Sequence, residues 1–201
     1  MNIAIVRYNA GNIYSVVNAL RRHGVSPLLT DTPELLQKAD KVIFPGQGEA
    51  HSAMAYLRAH HLDNVIRSLK QPVLGICIGQ QLLCKHSEEG DTACIGIFNA
   101  EVKRFSPRNQ EDKVPAMGWN SIYDLKSPLF KGIENNANKA VSYVYFVHSY
   151  YVPICTETIA KANYTLQYSA ALAKDNFYAT QFHPEKSGDV GEQIIKNFLD
   201  L

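Results

Sequence analysis

The chain has 201 residues, 46% of them hydrophobic and 19% charged, with a formal net charge of +1. Such a chain fits one globular domain, residues 1–201, with a full core. Its balanced charge argues against a nucleic-acid partner, which selects a basic stripe, and no apolar run approaches the roughly 20 residues that cross a bilayer, so no membrane is expected either.

In chain order, the continuously apolar Ile3–Val6 reads as a strand buried on both faces; Arg7 follows it at once, which leaves no room for a signal peptide's apolar segment. Asn12 is placed to cap a helix whose apolar positions are Ile13, Val16, Val17 and Leu20, and Gly24 sits where that helix wants a left-handed residue. Residues 25–30, 42–44 and Val73–Ile76 read as further strands, the second stopped by Pro45 and Gly46, the last running into a helix with Leu82 and Leu83. Strands alternating with helices predict a doubly wound, mostly parallel α/β sheet flanked by helices. Past the middle, residues 97–105, 121–125, 141–147, 158–164, 169–173 and 177–181 look like strands with few helices between them, which predicts an antiparallel extension in the C-terminal half. A final helix carries Val190, Ile194, Ile195, Phe198 and Leu199, with Asp189 and Glu192 spaced as a capping box. Cys84, Cys94 and Cys155 lack metal or disulfide spacing and read as reduced thiols of a cytoplasmic protein. His23, His51, His60, His61 and His86 show no functional spacing, and no metal or cofactor is expected.

The chemistry concentrates in three segments. In Gly75-Ile76-Cys77-Ile78-Gly79-Gln80-Gln81 a buried strand turns directly into a helix at Cys77, with a small residue two positions to either side. This is the pattern of a nucleophile elbow, and the helix N-terminus favours an anion such as thiolate. Gln181-Phe182-His183-Pro184-Glu185 supplies a base and, two residues on, a carboxylate to orient it. Pro45-Gly46-Gln47-Gly48-Glu49 ends a parallel strand at the edge where ligands bind, and its glycines let backbone N–H groups approach an oxyanion. Taken singly, each has a plain alternative: a small core cysteine, a structural histidine, an ordinary turn. Their topological agreement favours one site.

These residues resemble the class I glutamine amidotransferases over essentially the whole chain, in both signatures and in their order. The resemblance implies Cys77 as nucleophile, His183 as general base and acid, and Glu185 as its orienting group. It implies an oxyanion hole from Gly46, Gln47, Gly48 and Ile78, and glutamine contacts from Gln81, His148, Ser149 and Tyr150. Four further segments resemble one subgroup, the glutaminase subunits of imidazole glycerol phosphate synthases: Tyr8-Asn9-Ala10-Gly11-Asn12-Ile13, the Gly46–Gly48 loop, Met117-Gly118-Trp119-Asn120, and Tyr145-Phe146-Val147-His148-Ser149-Tyr150. That implies L-glutamine as substrate and, as heterodimeric partner, a separate (β/α)8 cyclase subunit docked on the face of Met117, Gly118, Trp119 and Asn120. Trp119 equally suits a core position. Arg7 and Asn9 depart from the subgroup's commoner Asp and Gly, Gln47 from its Val, and Asn99 stands where a substrate-contacting Glu is often found. Other amidotransferase subunits, feeding pyridoxal phosphate, anthranilate or sugar-nucleotide synthesis, are the nearest alternatives. A silent scaffold and a stand-alone cysteine hydrolase are more distant ones.

Overall fold

The computed structural model describes residues 1–8, 13–46, 48–107, 109, 112–133 and 142–201. The elements run β1 (Ile3–Val6), α1 (Ile13–Arg22), β2 (Leu28–Thr30), α2 (Pro33–Lys38), β3 (Lys41–Phe44), α3 (Ala50–Ala59), α4 (Leu62–Ser68), β4 (Val73–Ile76), α5 (Ile78–Leu83), β5 (His86–Ser87), β6 (Thr92–Ala93), β7 (Glu101–Arg104), β8 (Ala116–Ile122), β9 (Ser142–His148), β10 (Tyr150–Tyr151), β11 (Thr158–Tyr164), β12 (Leu166–Lys174), β13 (Phe177–Thr180) and α6 (Gly188–Asp200).

The main sheet has seven strands in the order β11-β12-β13-β4-β3-β1-β2. From β2 to β13 all neighbours are parallel, and β12 and β11 extend the sheet antiparallel. This is the doubly wound sheet with its antiparallel extension. Alternate residues of the central strands feed two separate cores. Ala4, Val6, Val42, Phe44 and Val73 pack with α2 to α5, through Leu36, Met54, Leu57, Ile66 and Leu82. Ile3, Ile5, Ile43, Leu74 and Ile76 pack with α1 and α6, through Val16, Leu20, Ile194 and Phe198. Each large side chain buried this way contributes about 1.5–3 kcal/mol, so the middle of the sheet is its most rigid part.

Several boundaries differ from the sequence reading. Residues 97–105 form a strand only at Glu101–Arg104, because Ile95, Ile97 and Phe98 donate their N–H groups to the Leu82 and Leu83 carbonyls, closing the end of α5 (2.8–3.0 Å). The strand expected at 121–125 lies at Ala116–Ile122, paired residue for residue with β9 from Ala116↔His148 to Ile122↔Ser142. Apolar residues lie on both its faces, Ala116 and Ile122 inward and Met117 and Trp119 outward, so no alternation marks it. The Asp189–Glu192 capping box does not form: Ser187 is the N-cap, and its hydroxyl serves the neighbouring loop instead. Asn12 and Val141 lie outside the described residues. Among the described residues, no helix is long and apolar enough to cross a membrane.

Candidate active site

Cys77 sits between β4 and α5 at φ 56°, ψ −110°, a conformation that L-residues avoid. It is held there by both neighbours: its N–H donates to Thr180 O (2.8 Å), and its carbonyl accepts from Gln80 N–H (3.0 Å). The flanking glycines are obligatory for steric reasons. A Cβ at Gly79 would collide with the backbone carbonyl of Phe44 on β3, and one at Gly75 would press on Leu83 and the Gly79 backbone. Ile78 is the first residue of α5, so its N–H has no intrahelical acceptor and is free for an oxyanion.

His183 leaves the end of β13 at the same edge of the sheet. Its N–H donates to Tyr145 O on β9 (2.9 Å), and its carbonyl accepts from Ser187 Oγ (2.6 Å). Gly191 lets α6 pack against this turn, because a Cβ there would meet the Pro184 carbonyl. The imidazole Nδ1 lies 2.8 Å from Glu185 Oε1, with both side chains buried. A carboxylate only accepts, so Nδ1 carries the proton and Nε2 is left without a partner among the described residues, beside Cys77. Burial opposes the imidazolium, but the Cys77 sulfur beside it and the Glu185 carboxylate outweigh that, and the His183 pKa is pushed up to about 10. The arrangement suits a thiolate–imidazolium couple.

Both groups open into a cavity of ≈ 350 Å³ lined by Gly48, Cys77, Ile78, Gln81, Glu89, Pro115, Val147, His148, Ser149, Tyr150 and His183. Most of the residues expected in the site therefore converge. Glu185 stands behind His183, out of the lining. Gly46 is packed under the elbow, where a Cβ would strike Ile78 and the Tyr8 hydroxyl, itself bonded to Pro45 O (2.6 Å). Glu49 ends the loop as N-cap of α3, accepting from His51 and Ser52 N–H groups (3.1 and 2.9 Å). Gln47, the remaining oxyanion candidate, lies outside the described residues, as does Asn9.

Two positions gain detail from the geometry. His148 lines the cavity, but both its nitrogens are engaged: Nδ1–H donates to Tyr150 O (2.7 Å) and Nε2 faces the Tyr168 hydroxyl (3.4 Å). Burial, with the nearby His183, lowers its pKa to about 4 despite the Tyr150 carbonyl, so it is a neutral wall of the site. Among the described residues, the acidic side chain lining the cavity is Glu89, while Asn99 is exposed and absent from the lining. Glu89 sits at the tip of the β5–β6 turn and accepts from Ala50 N–H at the start of α3 (2.8 Å); burial raises its pKa.

The four residues expected at a partner face divide. Met117 and Trp119 point outward, 68% and 57% exposed, which excludes the core position for Trp119. Asn120 points the other way, tying β8 to Asn163 O on β11 (2.9 Å), and Gly118 shares that inner side. Tyr143, 53% exposed, lies on the outward face of β9 and was not anticipated. Cys84, Cys94 and Cys155 are free thiols whose pKa values burial raises, the opposite of a nucleophile's needs.

Comparison with known proteins agrees with this geometry. The sequence profile described as glutamine amidotransferase class-I matches residues 5–201. The chain is 58% identical over 201 residues to the imidazole glycerol phosphate synthase subunit HisH of Bacteroides fragilis, covering 100% of both. It is 43% identical to the subunit of that name from Yersinia pseudotuberculosis, again over 100% of each chain. In fold it is similar to a putative GMP synthase subunit from Thermoplasma acidophilum (TM-score 0.73, 20% identity, 100% of this chain and 92% of that one). A PurLQS structure from Thermotoga maritima gives a TM-score of 0.71 at 16% identity, over 99% and 97% of the two chains.

Proposed function

The chain belongs to the class I glutamine amidotransferases, glutamine-hydrolysing enzyme subunits, and from that premise we propose that it is the glutaminase subunit of an imidazole glycerol phosphate synthase in histidine biosynthesis. The observation that carries the chemistry is the buried His183–Glu185 pair facing the Cys77 elbow at one cavity. The full-length identity to the Bacteroides subunit supports the pathway.

In this reading glutamine binds with its α-ammonium toward Glu89, the one acidic side chain lining the cavity among the described residues. His183 Nε2 takes the Cys77 proton, and Sγ attacks the carboxamide carbon. Ile78 N–H and the Gly46–Gly48 loop hold the oxyanion; losing one such donor typically costs about 3–4 kcal/mol in the barrier. The imidazolium then protonates the amide nitrogen, the C–N bond breaks, and ammonia leaves a γ-glutamyl thioester. Water, deprotonated by His183, cleaves the thioester; glutamate departs and the proton returns to Cys77. Glu185 holds the imidazole in the tautomer that both halves need.

Ammonia passes to a (β/α)8 cyclase subunit that binds the nucleotide acceptor, docked on the apolar outer face of β8 and β9. A glutaminase running alone wastes glutamine, so activity rises when the liganded cyclase binds, in a cytoplasmic heterodimer. The test is glutamate release from glutamine, with and without the cyclase and its ligand. Release strongly stimulated by the liganded cyclase and lost in Cys77→Ala supports the whole reading. Cys77-dependent release indifferent to the cyclase keeps the glutaminase and removes the pathway.

A further inference from the structure

We infer that Gln181 is a positioning residue of this site: it aims the carbonyl of Gln81 into the substrate cavity and holds a hydrogen-bond donor against the nucleophilic sulfur. The inference rests on the glutaminase reading above and deepens it.

Gln181 is wholly buried, 0% exposed, at the end of β13. Gln81 Nε2 lies 3.2 Å from Tyr150 O and 2.9 Å from Gln181 Oε1. A backbone carbonyl only accepts, so Tyr150 O requires the nitrogen of the Gln81 amide on its side. The second N–H of that nitrogen needs an acceptor, which turns the Gln181 oxygen toward Gln81. The Gln181 nitrogen is thereby directed at Cys77, 3.8 Å from Sγ. One carbonyl sets the direction of the whole chain.

Two consequences follow for the reaction. Both N–H bonds of Gln81 are spent on protein acceptors, so it offers the cavity only its oxygen. That oxygen suits a donor on the substrate, an ammonium or carboxamide N–H, and repels a carboxylate. At the sulfur, the thiol can donate to Val147 O (3.9 Å), a contact that favours the protonated form. When the proton moves to His183 that contact is lost, whereas the Gln181 N–H contact strengthens on the anion. Gln181 thus couples the substrate-reading amide to the state of the nucleophile.

The test compares Gln181→Met with Gln81→Met in two assays. Alkylation of Cys77 by iodoacetamide probes the sulfur without needing glutamine to bind, and steady-state hydrolysis separates KM from kcat. Gln181→Met should slow alkylation about tenfold at neutral pH and raise KM for glutamine by a similar factor; Gln81→Met, which removes the partner that orients Gln181 but leaves its amide in place, should raise KM and slow alkylation by a smaller factor. In the unsubstituted protein, capping Cys77 with iodoacetamide should shift the side-chain amide resonances of Gln181, a readout that survives if the buried variant fails to fold. Alkylation of Gln181→Met at the original rate, or Gln181 resonances indifferent to the cap, would overturn the inference. Absence of glutamine turnover in the unsubstituted protein, alone and with the liganded cyclase, overturns the glutaminase reading alone, because the alkylation and resonance arms still decide the contact to sulfur.

Discussion

The elbow and the β8–β9 ribbon meet at one cavity but are built on opposite terms. Cys77 lies between two strands of the main sheet, and its strained backbone is over-determined by Phe44, Leu83 and Thr180 around it. The ribbon is a separate two-stranded sheet that buries one face and leaves Met117, Trp119 and Tyr143 in solvent on the other. The elbow has no freedom to spare, which is what holding the strained backbone of the proposed nucleophile requires. The ribbon's outer face is unfinished, which is what a docking surface requires. The two are nonetheless joined, since Tyr145 of β9 accepts from His183 N–H (2.9 Å) and donates to Ser187 Oγ (3.0 Å) on the turn that carries His183 and Glu185.

The largest effect is expected where the elbow has no room. In Gly79→Ala the new methyl must displace the Phe44 carbonyl, a backbone group in the middle of the parallel sheet. Overpacking against movable side chains costs about 1–3 kcal/mol, and a backbone obstacle belongs at or above the top of that range. Denaturant unfolding should show a loss of about 3 kcal/mol, with glutamine hydrolysis abolished in whatever folds. A stable, active Gly79→Ala would show that the elbow tolerates relaxation and would erase the contrast with the ribbon.

The ribbon's inner face sharpens the comparison through pH. His148 is packed among Phe105, Phe146 and Tyr168, and its pKa falls from 6.5 to about 4. Between those values the unfolded chain binds a proton that the native site refuses. This contribution to stability is therefore complete above about pH 6.5 and is lost as pH falls toward 4, on the order of 3 kcal/mol. Unfolding free energies measured from about pH 7.5 to about 4.5 should fall more steeply for the unsubstituted protein than for His148→Gln. Parallel curves would mean that the inner face admits the charge and is as open as the outer one.

The same contrast explains what could be read from sequence. The elbow and the His183–Glu185 pair were legible because their constraints are local: glycines two residues from Cys77, a carboxylate two residues from the base. The parallel strands were legible because burial on both faces writes continuous apolar runs. β8 was misplaced because Met117 and Trp119 put apolar residues on its outward face while Gly118 and Asn120, between the buried Ala116 and Ile122, face in, so no clean alternation marks it. Glu89 was missed because a short turn carries it across to the start of α3, and nothing local records that contact. The Glu89–Gly90 step, with Gly90 at φ 63°, was the available hint of a turn. Gln181 was in view as a strand residue; its role rests on which way an amide faces, which only the Tyr150 carbonyl reveals.

The smallest effect on the isolated chain, and the most diagnostic, is expected from Trp119→Ala. The indole packs edge-on against Tyr145 (centroids 6.1 Å, interplanar 72°) and is otherwise largely in water. Exposed side chains contribute within about 0.5 kcal/mol, so the unfolding midpoint should barely move. A large aromatic at the centre of an interface, by contrast, typically costs about 2 kcal/mol or more when truncated. On the proposed docking face, binding to the cyclase subunit should therefore weaken roughly thirtyfold, and the stimulation of glutamine hydrolysis should need correspondingly more cyclase. Because Tyr145, beneath the indole, is bonded to both His183 and Ser187, saturating cyclase should still give Trp119→Ala a lower stimulated rate if docking pressure reaches the proposed triad through β9. Full recovery of the rate at saturation would confine Trp119 to affinity, leaving the ribbon a docking surface with no hand in the chemistry.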